Sequence, residues 1–396
     1  MSEFTITIKK SATIDDVESY YDLLHKSAVV RATVDLCLPA EFSHDNFGLV
    51  PQLLQFVITW IRYKKSKRLL IDVVNTEKET IEDLYKNELI FPSVILAWYN
   101  NGVYQASNGE TLSGVLNFKN REFITKMMAG ESVYHKLLLA NFEHLPDEYQ
   151  LPCFGNRYEF IRTEYNLQQN LRKGIGDVFY YTTIEPEFVS IYPDLVAIIY
   201  ELMKNTFEWG KEDEDNVPLE TNMRGVLAKF FKKSRKALLE DMGNHKGLSA
   251  FFASGGHKEN AKGELYFVEI SIFDGGIGFS RKYRSRHPDE TDLTDINILK
   301  KCLIKHNTSA KTLEKDDKGI GLDRILRVLD GKGFLRIKTG QLCVYRDLIA
   351  NRYQDNRKTE NMVLFDWKSQ NTERYTKFRN SEGALITILY PLASNI

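Results

Sequence analysis

The sequence predicts an α/β protein of two units joined by helices. Three observations lead there. In the first 125 residues a β-branched run, a helix-period run and a second apolar run follow one another. Between 177 and 396, longer apolar runs alternate with helical patterns. At 396 residues, 43% apolar and 27% charged, the chain exceeds what one hydrophobic core serves. The division expected is an α/β unit at 1–125, a helical connector at 126–176 and a larger α/β unit at 177–396.

In chain order, 29–38 is β-branched, ends at Pro39 and predicts a strand. Residues 47–63 predict a helix, 69–74 a short buried strand and 80–86 a helix. In the connector, 134–142 and 159–171 read as helical. Residues 177–184 predict a strand and 193–209 a helix. The acidic stretch 208–216 predicts a loop, and the basic stretch 224–240 a helix. Residues 264–273 (ELYFVEISIF) predict a buried strand and 322–329 a helix. Residues 334–338 and 342–346 predict paired strands around Thr339-Gly340, and 384–390 a closing strand.

The net charge of −1 gives no global field toward nucleic acid or an anionic membrane. Cys37, Cys153, Cys302 and Cys343 stand far apart without a CxxC, which fits a reducing cytoplasm rather than a disulfide framework or zinc module. The first residues, MSEFTITIKK, lack the apolar region of a signal peptide. The apolar run 47–61 contains Pro51, Gln52 and Gln55 and falls short of the roughly 18–20 residues of a membrane span, so a buried helix and no membrane association are expected.

Three segments carry the chemistry. In Glu201-Leu-Met-Lys-Asn205, helical spacing puts Glu201, Asn205 and Glu208 on one face beside a core stripe of Leu195, Ile198, Ile199 and Leu202. Asn205 offers a neutral oxygen suited to Mg²⁺ held jointly with phosphate. Glu201 is placed to take a proton from an attacking water. Asp274 ends a strand pattern and is followed by Gly276 and Gly278, which let a backbone approach a ring closely. Lys318-Gly319-Ile-Gly321-Leu322 opens a helical pattern whose first N–H groups suit a phosphate. The bland alternatives are a solvated helix edge, an Asp-Gly turn and a glycine cap. Lys173-Gly174-Ile175-Gly176 spells the same tetrapeptide but is read as preceding a strand, so it is not assigned to phosphate.

In this order and context the three segments resemble the N-box and two glycine boxes of the GHKL ATPase superfamily, which includes gyrase B, MutL and histidine kinases. The resemblance covers roughly 177–396. It implies a two-layer α/β sandwich, the Bergerat ATP-binding fold, with ATP and Mg²⁺ as cofactors. It makes Glu201 the base, Asn205 the metal ligand, Asp274 the adenine reader, and Gly276, Gly278, Gly319, Gly321 and Leu322 pocket residues. It also makes 281–318 a lid. There His306-Asn-Thr308-Ser309-Ala-Lys311 resembles the His-x-Thr-Ser-Lys of MutL with one residue inserted, which suggests Thr308, Ser309 and Lys311 as phosphate contacts. The first 125 residues faintly resemble STAS-like modules.

The leading expectation is a Mg²⁺-dependent ATPase that drives a conformational switch in a regulatory or defence-type system, acting with a protein partner or as a homodimer. The alternatives are a protein kinase of the same fold and an ATP-sensing scaffold without turnover. The basic and aromatic stretch from Arg224 to Lys236 suggests nucleic acid or, equally, a solvated face. ATP binding is expected to need only the C-terminal half.

Overall fold

The computed structural model describes residues 3–43, 47–179, 185–242, 245–304, 321–355 and 358–392. Strand β1 (Glu3–Thr7), helix α1 (Val17–Val29), β2 (Thr33–Pro39), α2 (Leu49–Arg62), β3 (Ser66–Asp72), α3 (Lys78–Leu84), α4 (Ile90–Ala97) and β4 (Val103–Gln105) come first. Their strands form a parallel sheet in the order β1-β2-β3-β4. In a sheet of sequential order, crossovers of one hand lay their helices on one face. Helices α1, α2 and α4 accordingly pack on one another and on this sheet.

Then follow α5 (Ser113–Met128), β5 (Lys136–Phe142), α6 (Glu164–Val178), α7 (Glu185–Trp209), β6 (Met223–Ser234), α8 (Arg235–Met242), α9 (Lys246–Ala253) and β7 (Glu264–Asp274). The chain continues through α10 (Gly278–Arg286), α11 (Asp295–Cys302), α12 (Gly321–Val328), β8 (Phe334–Gly340), β9 (Leu342–Asp347), β10 (Phe365–Asp366) and β11 (Ser381–Pro391). The seven strands of this part form an antiparallel sheet in the order β10-β9-β8-β11-β7-β6-β5. The molecule is thus mixed α/β, with one parallel and one antiparallel sheet.

The register divides the antiparallel sheet by chemistry. Val226, Ile272, Ile386 and Ile337 stand in one row across four strands, and this apolar face carries α6, α7 and α12. The adjacent row, on the opposite face, is Leu227, Ser271, Thr387 and Arg336. This polar face is buried under the N-terminal half. The Gly48 N–H donates to Glu269 Oε2 at 3.2 Å, Gln52 Oε1 accepts from Arg336, and Gln55 Nε2 donates to the Lys338 carbonyl at 3.3 Å. From α1, Glu18 accepts the Lys338 ammonium at 2.6 Å. One contiguous apolar core runs from Ile6 to Leu392 through both halves.

Several elements match their sequence expectation: 264–273 lies in β7, the paired strands are β8 and β9, the closing strand is β11, and 47–63 holds the buried helix α2. Others are corrected. Residues 136–142, expected helical, are the edge strand β5, paired with β6 from Lys136 to Phe142. Residues 224–234, expected helical, are β6, and helix α8 begins only at Arg235. Tertiary pairing overrides the helix propensity of Leu, Ala and Lys at both places. Asp177 and Val178, expected to open a strand, close α6, and 180–184 lie outside the described residues. Helix α7 starts eight residues before its expected Pro193 start, with Pro193 inside it. In the expected lid, α10 and α11 are tied by Arg284–Asp295 at 2.6 Å and by Lys301 Nζ donating to Tyr283 Oη at 3.2 Å, and Lys301 also pairs with Glu290 of the intervening segment at 2.5 Å. Among the described residues no helix is long and apolar enough to cross a membrane.

The Lys338 side chain is fully buried and its partner sits on the other half of the chain. Glu18→Ala should destabilise the protein by on the order of 3 kcal/mol, because an uncompensated buried charge remains. Glu18→Ala combined with Lys338→Met should recover most of that loss. Urea denaturation of the three proteins checks both statements; a silent Glu18→Ala would show that the pair does not join the halves.

Candidate functional site

The polar residues singled out by sequence gather on the apolar face of the antiparallel sheet, along α7. That helix buries Leu195, Ile198, Ile199, Leu202 and Met203, which leaves Glu201 and Asn205 partly exposed on the neighbouring face. At the Glu201 end α12 begins. A Cβ built on Gly321 would lie 2.6 Å from Glu201 Oε2, so the Glu201 carboxylate lies directly against this backbone. Arg324, one turn into α12, donates to Glu201 Oε1 at 3.1 Å and to Glu164 at 2.5 Å. The arginine therefore fixes the position of the Glu201 carboxylate and joins α6, α7 and α12. Leu322 packs against the core beside it.

At the other end of α7, Gly210 meets the end of β7. A Cβ on Gly210 would stand 2.9 Å from Asp274 Cβ, and one on Gly276 would stand 2.8 Å from Gly210 Cα. Asp274 is buried, and burial pushes its carboxyl up to about 6. The Gly276 N–H, at 2.8 Å, and the Ala384 N–H oppose that rise, as do the Arg62 and Arg224 guanidinium groups. Gly278 has φ +77°, a conformation that favours glycine. The following Phe279 N–H donates to Thr339 Oγ1 at 3.1 Å, and that hydroxyl donates to the Gly383 carbonyl at 3.1 Å.

Unsatisfied polar atoms cluster here. Arg224 is paired with Asp274 across β6 and β7. Its Nε donates to Glu143 at 2.5 Å, while Nη1 and Nη2 have no partner. Asn222 Nδ2 donates to the Gly210 carbonyl at 2.6 Å, and Asn222 Oδ1 has no partner. Buried groups left this way are uncommon in native proteins and call for an explanation such as a ligand or water.

The sequence brought Glu201, Asn205, Asp274, Gly276, Gly278, Gly321 and Leu322 into view, and all seven are described. The structure joins Glu201 with Gly321, and Asp274 with Gly276, and α7 links the two clusters. Asn205 lies between them on α7. Thr308, Ser309, Lys311 and Gly319 lie outside the described residues. Sequence reasoning missed Arg324, Gly210, Asn222 and Arg62. Arg62 comes from α2, donating to the Gly276 carbonyl at 3.2 Å and pairing with Glu382 at 3.2 Å. Only Arg324 had a local signal, one turn after the second glycine box.

Two other expectations are resolved. The decoy Gly174-Ile175-Gly176 lies inside α6, where a Cβ on Gly174 would strike the Gly130 carbonyl at 2.1 Å, so this glycine serves packing. The basic stretch from Arg224 does not form one exposed face. Arg224 and Lys229 are buried, and Lys232, Lys233 and Arg235 pair with Glu264, Asp241 and Glu259.

A buried carboxyl with a raised pKa favours the folded state when protonated. Asp274 therefore contributes stability that is complete below its unfolded value, near 4, and lost as pH rises through about 6. Compared with Asp274→Asn, the wild type should lose about 2–3 kcal/mol between pH 4 and 7.5. Denaturation at several pH values checks this; a pH-independent difference would show an ordinary carboxylate. No family model matches the chain, and searches of curated proteins and of solved structures find no match either.

Proposed function

We propose that the chain binds ATP with Mg²⁺ along α7 and hydrolyses it to drive a conformational switch, as a GHKL-type ATPase with the Bergerat arrangement of helices on an antiparallel sheet. The observation that carries this reading is the separation of the two glycine contacts on one helix. Glu201, which meets Gly321, and Gly210, which meets Asp274 and Gly276, are nine residues apart, or about 14 Å along an α-helix. That is close to the reach of an extended nucleoside triphosphate from base to terminal phosphate.

In this reading Asp274 accepts the exocyclic amine of adenine. The backbones of Gly210 and Gly276 pack on Asp274 and hold its carboxylate in place. The unpartnered atoms of Arg224 and Asn222 are near enough to the base end to account for its polarity. The first N–H groups of α12, at Gly321 and beyond, face the phosphate end. Asn205, midway, would hold Mg²⁺ through its neutral side-chain oxygen, and the ion would supply charge neutralisation at the phosphates. Mg²⁺-bound ATP supplies the electrophilic phosphorus and the leaving group. Glu201 holds the attacking water and takes its proton, with Arg324 keeping the carboxylate oriented.

Calorimetry and turnover test this reading. Asp274→Ala should weaken ATP binding by on the order of tenfold or more while the fold survives, since a charge-assisted hydrogen bond is worth about 1.5–3 kcal/mol. Glu201→Ala should bind ATP and release no phosphate, and Asn205→Ala should lose the Mg²⁺-dependent part of the affinity. Adenosine, which avoids phosphate titration, should bind more weakly as pH falls below about 6, where Asp274 becomes protonated. With γ-labelled ATP, free phosphate is the expected product. Label on a partner protein would favour the kinase reading, no turnover would favour an ATP-sensing scaffold, and unchanged ATP affinity in a folded Asp274→Ala would overturn the site.

A further inference from the structure

A cavity lies on the polar face of the antiparallel sheet, away from α7. It measures about 580 Å³ and opens between α1 and the 367–379 segment that precedes β11. Small-molecule pockets run to roughly 300–1,000 Å³. One wall belongs to the N-terminal half and includes Asp15, Glu18, Asp22 and Gln52. The other includes Trp367, Lys368, Lys377, Phe378 and Arg379. A ligand here touches both halves of the chain.

Once its ion pairs are removed, the lining of the cavity keeps a small cationic excess. Asp22 is taken by Arg379 at 2.7 Å and Glu18 by Lys338 at 2.6 Å. Behind the wall, Asp366 accepts the Ser369 and Thr376 N–H groups and the Thr376 hydroxyl. Glu269 accepts the Gly48 N–H and the Ser271 hydroxyl. His245 is neutral, held well below its usual range at about 4 by burial. Its Nδ1 accepts the Leu248 N–H, so its Nε2–H donates to the Trp367 carbonyl at 2.9 Å.

What stays unpaired is mainly cationic. Lys368 and Lys377 stand at the mouth without an ion-pair partner among the described residues, against Asp15 alone. Directly behind the wall is Arg336, only 1% exposed, with Nε and Nη1 unpartnered. Its Nη2 donates to Gln52, and its guanidinium sits 4.3 Å from the centre of the Trp367 ring. Gln52 and Trp367 both line the cavity.

We propose that this cavity is a binding site for a small organic anion, a carboxylate or a phosphate monoester with an apolar body. Lys368 and Lys377 meet its charge at the mouth, and Trp367, backed by the Arg336 guanidinium, takes the apolar part with Phe378. The site bridges α1 and the segment before β11, so its occupancy binds the N-terminal half to the antiparallel sheet.

The test uses the full chain and calorimetry with benzoate and phenyl phosphate, and with inorganic phosphate and benzylamine as comparators. At least one aromatic anion should bind one-to-one with a sub-millimolar Kd, and which one binds tells carboxylate from phosphate. Lys368→Ala with Lys377→Ala should weaken it at least tenfold. Both lysines are exposed, so circular dichroism should show an unchanged fold. Hydrogen exchange should slow in both α1 and 367–379 on binding. The proposal is overturned if neither aromatic anion binds below the millimolar range, if the double variant binds as well as wild type, if benzylamine binds more tightly, or if inorganic phosphate alone matches the organic anions.

Discussion

Helix α2 is the constraint on which the rest of the structure depends. It is buried at eleven of its fourteen positions, because a sheet lies on each side of it. A helix in that position must be apolar nearly all round, and Leu53, Leu54, Phe56, Val57 and Trp60 meet the need. Its two glutamines are the exception, and they answer the polar face of the antiparallel sheet: Gln52 takes Arg336, and Gln55 takes the Lys338 carbonyl. Its last residue, Arg62, then reaches the glycine loop after Asp274. The same helix therefore fills the core, satisfies buried charge and positions one end of the candidate site.

The site itself is made by close backbone approach. Gly210 against Asp274 and Gly276 is a contact that leaves no room for a side chain, and Gly321 lies against the Glu201 carboxylate. These glycines give up backbone entropy on folding. In return, segments distant in the chain come within touching distance along α7 and at its C-terminal end. The two clusters are held in fixed separation by the rigid rise of α7, so the helix acts as a ruler between them.

Much of this was legible in the sequence where local pattern and tertiary environment agree. The strand 264–273 is mostly apolar and buried from Leu265 onward because it is interior in its sheet, and Asp274 is the polar residue that ends it. The spacing of Glu201 and Asn205 shows directly on α7. The failures share a cause. Lys136–Phe142 contains KLLLANF, with no β-branched residue, and only its partner β6 makes it a strand. The stretch after Met223 is rich in Lys and Arg, which suggested a solvated helix. In the fold Arg224 faces Glu143, and Lys229 lies near Glu88. Arg62 and Gly210 acquire their roles from contacts across the whole chain, and no short window of sequence contains that information.

The position of β11 has a consequence for how the molecule is made. It lies between β7 and β8, pairing with both, yet it follows both in the chain. During synthesis β7 and β8 exist before the strand that joins them, and each has an open edge of unpaired backbone groups. Until residues 381–391 leave the ribosome, the sheet is two pieces: β5-β6-β7 and β8-β9-β10. The contacts of Asp274 with Ala384 and of Thr339 with Gly383 do not exist in that interval. The candidate site is therefore assembled only after translation of β11, and a nascent chain still lacking that strand has no completed site.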